Sequence, residues 1–600
     1  FLIPIIIIFF LEISLRTFNY GINLDQWYRV NKEKIILNPD VAGRYFFNTK
    51  NFPQSNNDPF DIVKNKNSFR VFVLGGSTTA GFPFSPNGTF TRYIRDRLEL
   101  NFPDKIIEVI NLGISAINTY TILDLLPGVI EQKPDLIIIY AGHNEYYGAL
   151  GVASTESIGS SSIFIKLYLY LTKYKTFQLI KDAAGKVTKL FSSENNNTSG
   201  TTLMAKMASE KTIKFESELY NAGAEQFRNN LNHILSEVTK NKIPIIIGSL
   251  VSNLKDQKPF ISTEFNGISA EEAYQQGLST IQNKDFNKAD SLFKIAKDLD
   301  GLRFRAPEEF NKIIFEESKN YNANVIDIAS KFNSVCPNNI VGSNLMVDHL
   351  HPTLEGYLLM GKWFFDEMTT LNLLPGKLSN QYSFDQQDSI VKSNFAFTRL
   401  DSVTSNFRIL NLLNDFPFVK IKNRNAIQQI IKKDKIDSLG YKIAIENFDW
   451  KNAHQKAAEW YLKNKDYKNF AKEIKVITSQ QPFNLGYYNY AAEELIKNQQ
   501  YDLAMNFLKM RVRIEPDNFS SKWLGNIYLF KKEHLEAIKY LNESLNFEKN
   551  DPQIFYNLSI AYMNSNQFEK AKKSIVECLK LNPNYRNAKQ LFNELNKKAD

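Results

Sequence analysis

Five short runs rich in Val, Ile and Leu constrain this chain more than any other feature. They are Arg70–Leu74, Ile106–Leu112, Asp135–Tyr140, Pro244–Leu250 and Asn324–Ile328. Between them lie stretches of helical periodicity: Thr91–Asn101, Thr119–Gln132, Ala222–Thr239 and Pro307–Asn320. A sheet with one wet face would alternate apolar and polar residues, and these runs mostly do not. Apolar strands alternating with amphipathic helices predict βαβ units and a parallel sheet covered on both faces, over residues 68–376. In such sheets the chemistry collects beyond the carboxyl ends of the strands.

The segments that follow the strands carry polar residues of matching types. After the first run comes Gly75-Gly-Ser-Thr-Thr-Ala-Gly81, where glycines allow a tight turn into a helix whose first N–H groups face Ser77. After the second comes Asn111-Leu-Gly-Ile-Ser-Ala-Ile-Asn-Thr119, and after the third Ala141-Gly-His-Asn-Glu145. Beyond the fifth lies Val347-Asp-His-Leu-His-Pro-Thr353. A serine, an amide and an Asp-x-x-His pair are what serine acyl transfer needs: a nucleophile, oxyanion donors, a base and a carboxylate that orients the base. Each has an ordinary alternative: a serine after two glycines is a common turn residue, and a loop asparagine commonly forms an Asx-turn. His349 and His351 lack a third ligand at metal-binding spacing, so no metal and no cofactor is expected. Three of the six histidines, His143, His349 and His351, fall inside these motifs. His143 and His349 are expected as loop residues beside the site.

In order and spacing, the four segments resemble the sequence blocks of the SGNH (GDSL-type) hydrolases, over roughly residues 68–375. The resemblance implies a three-layer α/β/α fold around a parallel sheet of about five strands. It also implies roles: Ser77 as nucleophile and, through its backbone N–H, an oxyanion donor; Asn144 as a side-chain donor; His351 as general base; Asp348 as its orienter or support. Ala116 stands where the family has a glycine whose N–H is another donor. A second departure is Gly76, where the family's Gly-Asp-Ser-Leu has its aspartate; that aspartate transfers no proton. The expected activity is serine-ester hydrolysis of O-acyl, above all O-acetyl, esters, with acylated carbohydrate as a candidate substrate. The same oxyanion machinery serves an O-acyltransferase, and the two departures leave open a catalytically inactive scaffold.

The domain carries two insertions. Gly148–Glu216 includes a weakly charged helical stretch, Ile163–Ile180, and a polar loop, Ser192–Thr202, and reads as a lid, a docking surface or a decoration. The second, 269–307, has Gly277, Ala289, Phe293 and Ala296 spaced as in one tetratricopeptide hairpin, which must pack on something to bury its face. Arg303 and Arg305 follow it and are candidates to grip an anionic substrate, with surface ion pairing as the alternative.

Residues 377–425 are polar and weakly periodic, and read as a linker. From 426 to 600 helical periodicity is continuous, and Ala471, Ala504, Ala537 and Ala571 recur at 33- and 34-residue spacing, with Pro482, Pro516 and Pro583 closing units. This resembles the tetratricopeptide repeat, an all-α solenoid with a groove for a protein partner. Charge is regional: of a net +9, residues 381–600 hold 34 basic and 25 acidic side chains, so the repeat groove is expected to favour an acidic partner. The basic residues form no runs, which argues against nucleic acid. Cys336 and Cys578 lie too far apart for a disulfide scaffold. Residues 1–20 open with eleven uncharged apolar residues, Phe1–Leu11, too few to span a bilayer. They read as the outer end of a signal anchor or uncleaved signal sequence, with a buried N-terminal helix or strand as the alternative. An anchor would tether the chain to a membrane outside the cytoplasm, in the periplasm or cell envelope. Residues 21–67 are an N-terminal extension.

Overall fold

The computed structural model describes residues 2–47, 52–155, 162–191, 204, 212–378, 381–423 and 425–599. It divides into two units, 1–448 and 449–600.

The centre of the first unit is the five-stranded sheet expected from the sequence: β1 (Ser68–Gly75), β2 (Ile106–Asn111), β3 (Leu136–Tyr140), β4 (Ile245–Gly248) and β5 (Asn324–Ile326). All neighbours are parallel, in the order β5-β4-β3-β1-β2. Strand order reverses at β1, which has β2 on one side and β3 on the other. Open parallel sheets place their ligand crevice at such a reversal, outside the carboxyl ends. The register brings those ends level, with Gly75 opposite Tyr140 and Val73 opposite Asn111.

Helices cover both faces, as near-continuous burial of β1, β3 and β4 requires. The helices Thr119–Glu131, Glu218–Lys240 and Glu308–Asn320 pack together in one layer. Phe90–Asn101 and Leu354–Thr370 pack together in the other. Thr89, Asn118, Ser217 and Thr353 cap four of these helices by accepting from backbone N–H groups of the first turn. The α/β/α class is thus the one expected.

The N-terminal extension forms a small antiparallel sheet (Trp27–Arg29, Lys34–Leu37, Phe60–Asp61). Its buried Phe60 packs edge-on against Trp27 and Phe72. Helix α1 (Leu2–Thr17) leaves Ile3, Ile5, Phe9 and Phe10 largely exposed and is fastened near its end by Glu12, which accepts from the N–H and hydroxyl of Thr176. Among the described residues no helix is long and apolar enough to cross a membrane. The insertion at 148–216 supplies the helices Ser162–Leu171 and Lys175–Phe191; the polar loop Ser192–Thr202 lies outside the described residues.

The hairpin insertion (Ala270–Gln282, Phe286–Asp298) packs on the α/β body. Ala273, Tyr274, Ala289, Phe293 and Ala296 share a core with Leu254 and Ile340. At Gly277 a Cβ would come within 2.9 Å of the Phe293 ring, so the close helix approach needs a glycine.

The stretch read as a linker is folded. Helices Phe384–Asn394 and Arg399–Leu413 open with capping boxes, Ser383/Gln386 and Thr398/Asp401, and lie on the body. Many of their contacts with the body are polar, beside an apolar patch in which Val391 meets Tyr93 and Leu358: Tyr93 donates to Asp388, Asn101 to Gln387 and Asn87 to Asp401. Burial through hydrogen bonds leaves little apolar periodicity, which is why the segment looked irregular. Lys435–Glu446 then pairs with Arg399–Leu413 inside the first unit, so the second unit begins at Asp449 and not near 426.

The second unit is all helical: four antiparallel pairs from Trp450–Lys463 to Phe568–Leu581, then a last helix, Ala588–Ala599. Ala471, Ala504, Ala537 and Ala571 are each buried on the second helix of a pair. Gly525 admits Leu541, which would sit 2.6 Å from an added Cβ. Cys578 is buried in the last pair, and burial pushes its thiol up to about 11, so it is inert packing.

Candidate active site

The turn after β1 can be tight only because Gly75 has no side chain: a Cβ there would lie 2.1 Å from the Tyr140 carbonyl oxygen. The chain then enters a four-residue helix, Ser77–Ala80, with Ser77 at its first position, where the backbone N–H has no intrahelical acceptor. Thr79 Oγ1 donates to Tyr140 O, and Asn111 Nδ2 donates to Thr79 O at 2.7 Å. The ends of β1, β2 and β3 are thereby bolted to the helix that carries Ser77. The N-terminal extension adds Asn56, whose Nδ2 donates to Ala80 O.

On the far side, Asp348 accepts from the N–H of Leu350 (2.9 Å) and of His351 (2.8 Å), folding 348–351 into a tight turn. The turn delivers His351 between two partners. Its Nδ1 lies 2.6 Å from Asp348 Oδ2, and its Nε2 lies 2.7 Å from Ser77 Oγ. Burial alone would raise the Asp348 pKa, but the His351 and His349 imidazoles hold it well below the usual carboxylate range. With Asp348 ionised, Nδ1 carries the proton and Nε2 accepts from the serine hydroxyl. Ser77, His351 and Asp348 are brought together as expected.

Asn144 follows β3, and its amide comes so close to Gly76 that a Cβ at Gly76 would lie 2.9 Å from Nδ2. The glycine at 76 therefore makes room for the amide beside the serine. Ala116 has φ of +57°, a region glycine enters freely and alanine at a cost of about 1 kcal/mol. Its peptide is fixed from the other side, where Ala116 O accepts from Ala149 N at 2.9 Å.

Arg303 and Arg305 are not in the cleft. Both are buried, at 2% and 4% exposure. Arg305 donates to Asn253 O and Gln257 O and pairs with Asp300 at 3.2 Å. Arg303 donates to Asp298 O and stacks over the Tyr220 ring. After the hairpin the chain turns inward, and the two guanidinium groups satisfy loop carbonyls that would otherwise be buried unpaired. Arg305 acts at a distance from the site: the Asn253 it braces donates from Nδ2 to Asp348 O and from its backbone to His349 O.

His143 and His349 lie beside the site, as expected. His143 Nδ1 accepts from Ala306 N, and burial with the neighbouring His349 depresses its pKa to about 3, so it is neutral. His349 sits 3.4 Å from Asp348 among Phe260, Phe304 and Phe418. Phe82 packs against His351 itself, with ring centroids 4.7 Å apart. Phe82 and Phe418 escaped the sequence reading because single aromatics in irregular loops carry no spacing signal. Among the described residues no group of acidic, His and Cys side chains is placed to hold a metal ion.

Glu145, next to Asn144, was also missed. It is fully buried and accepts from Thr119 Oγ1 (2.7 Å), Thr119 N (3.1 Å) and Gln226 Nε2 (2.6 Å). Burial raises its pKa to about 7 against the lowering effect of those donors. A folded-state pKa above the unfolded value means that the native state binds more protons, so stability falls as pH rises. The loss runs from about pH 4.5 to 7 and amounts to about 3 kcal/mol. Chemical denaturation of the wild type and Glu145→Gln at pH 4.5 and pH 8 is expected to show the wild type losing that much relative to the variant. A difference constant with pH would contradict the assignment.

Comparison with known proteins agrees with this architecture. The model of the GDSL-like lipase/acylhydrolase family matches residues 73–359, and tetratricopeptide-repeat models match residues 523–551 and 552–585. No curated protein matches the chain at a significant level. Among solved structures, an acetylxylan esterase from Geobacillus stearothermophilus is 14% identical. That match covers 53% of this chain and 99% of that one, with a TM-score of 0.26. The MamA protein of Desulfovibrio magneticus is 17% identical over 26% of this chain and 87% of its own, with a TM-score of 0.23. A tetratricopeptide domain from Arabidopsis is 15% identical over 19% of this chain and 94% of its own, at 0.18.

Proposed function

We propose, from the match of residues 73–359 to the GDSL-like lipase/acylhydrolase family and of the C-terminal segment to tetratricopeptide repeats, that this chain is a serine esterase cleaving small O-acyl esters. The observation that carries the reading is the continuous Ser77–His351–Asp348 relay, with contacts of 2.7 and 2.6 Å. Ser77 Oγ attacks the ester carbonyl carbon while its proton passes to His351 Nε2. The carbonyl oxygen becomes an oxyanion, received by the N–H groups of Ser77 and Ala116 and the Asn144 amide; each such donor contributes on the order of 100-fold to kcat. The carbon–oxygen bond to the alcohol breaks, and His351 returns the proton to the leaving oxygen. Water then attacks the acyl-serine, gives a proton to His351, and the acid departs as Ser77 regains its hydrogen. Asp348 stays ionised and stabilises the imidazolium.

The acyl group is proposed to be small, above all acetyl, and the alcohol to be a carbohydrate hydroxyl. An inactive scaffold is disfavoured, because the Gly76 departure accommodates Asn144 and removes no group that moves a proton. Purified full-length chain is expected to turn over p-nitrophenyl acetate and to release acetate from an acetylated polysaccharide without an added acceptor. Absence of turnover on both would overturn the esterase reading; acetylation of an added acceptor sugar, with no acetate freed in its absence, would replace it by acyl transfer.

The repeats, carrying most of the positive excess of the sequence, are proposed to hold an acidic protein segment. An acidic peptide should bind with an affinity that weakens as salt rises, and salt-insensitive binding would contradict this. A place at a membrane, outside the cytoplasm, is also proposed; the exposed apolar side chains of α1 support its contact with a membrane surface. Cosedimentation with phospholipid vesicles, lost in Ile5→Ser/Phe9→Ser, is the expected result. Equal sedimentation of both forms would refute it.

A further inference from the structure

The helix Arg399–Leu413 lies beyond residue 359, the last that the family model matches, yet it reaches the catalytic histidine through one loop. That loop, Phe82–Asn87, leaves the nucleophile helix and places Phe82 against the His351 ring at 4.7 Å. A loop so close to a general base needs its free carbonyl groups answered, because each buried and unpaired carbonyl costs roughly 1–3 kcal/mol. The answers come largely from the later helix. Arg408 Nη1 donates to Pro83 O at 2.9 Å and to Ser85 O at 2.7 Å, and Ser405 Oγ donates to Pro83 O at 3.2 Å. Phe397 packs on Phe84, and Asp401 receives the Asn87 amide. From the body, Tyr357 donates to Phe82 O at 2.7 Å.

Arg408 answers the two carbonyls one residue either side of Phe84, so it sets the path of the loop and not just its position. Burial lowers its pKa to about 10 against the raising effect of Asp401, and at neutral pH it is charged. A charged donor in a low-dielectric setting makes stronger bonds to carbonyls than a neutral one. Phe82 in turn limits how far the His351 ring can rotate. The ring must hold Nε2 toward Ser77 and Nδ1 toward Asp348 at once, and a misplacement of about 1 Å costs on the order of 100-fold in rate.

We propose that Arg408 is a positioning residue of the active site, acting through the Phe82–Ser85 loop to hold His351 in its productive orientation. The proposal rests on the esterase reading above, and it makes the helix Arg399–Leu413 part of the catalytic apparatus of this chain.

The test is a double-mutant cycle on the full-length protein with p-nitrophenyl acetate, using Arg408→Ala, Phe82→Leu and both together. Each single change is expected to lower kcat on the order of tenfold with KM altered less than about twofold. The pair should lower kcat little further, since the two act through one element. Arg408→Lys, whose ammonium can still reach one carbonyl, should recover part of the loss, and it carries the cycle if Arg408→Ala does not fold. Singles within twofold of wild type would overturn the proposal, as would losses that multiply to about a hundredfold. A wild type without turnover overturns the esterase reading and this inference together. A wild type that turns over beside unaffected variants overturns this inference alone.

Discussion

Ser77→Ala is expected to lower kcat/KM for p-nitrophenyl acetate by roughly 10,000-fold or more, with the melting temperature unchanged within a few degrees. The size follows from what is removed. In the proposed mechanism Oγ is the atom that bonds to the acyl carbon, and among the described residues no other nucleophile shares its 2.7 Å contact with His351 Nε2. A water in its place would have to reach the carbonyl without being held, so only the oxyanion donors would continue to act. The fold should tolerate the change, because Gly75, Thr79 and Asn111 fix the turn through contacts that do not use the serine side chain. Activity within tenfold of wild type would mean that hydrolysis takes place elsewhere.

Asp348→Asn is expected to reduce kcat by about 1,000- to 10,000-fold while KM changes little. Asp348 Oδ1 accepts from two backbone N–H groups, Leu350 and His351, and an asparagine would keep its oxygen there. Its NH2 would then face His351 Nδ1, which must become an acceptor. The ring proton moves to Nε2, and the imidazole can no longer take the serine proton. The fold survives and the base is lost. Raising the pH should restore part of the rate, as a serine ionised by solvent bypasses the base. Asp348→Asn with wild-type kcat would reduce Asp348 to a turn former.

Much of this site was legible in the sequence because its groups lie in four short segments tied to strand ends. Glycine at 75 and 76, the amide of Asn144 and the Asp348-x-x-His351 spacing each carry a local geometric requirement, and local requirements leave spacing signals. The arginines show the opposite case. Arg303 and Arg305 looked available because they follow the hairpin, but Arg305 answers the distant carbonyls of Asn253 and Gln257 and Arg303 lies over the Tyr220 ring, long-range facts with no local trace. The segment 384–413 was misjudged for a related reason. Much of its contact with the body runs through Asp388, Gln387 and Asp401, and polar contacts do not produce apolar periodicity. Glu145 carried a faint signal, an acid beside Asn144, but only the approach of Thr119 and Gln226 shows why it is there.

The central claim, that Ser77 is a nucleophile activated by His351, is tested most directly by exposing the full-length protein to a serine-directed fluorophosphonate and mapping the adduct by peptide mass spectrometry. A single adduct on Ser77, abolished in His351→Ala, is the result predicted. An unmodified Ser77, or an adduct that forms equally well without His351, would contradict it.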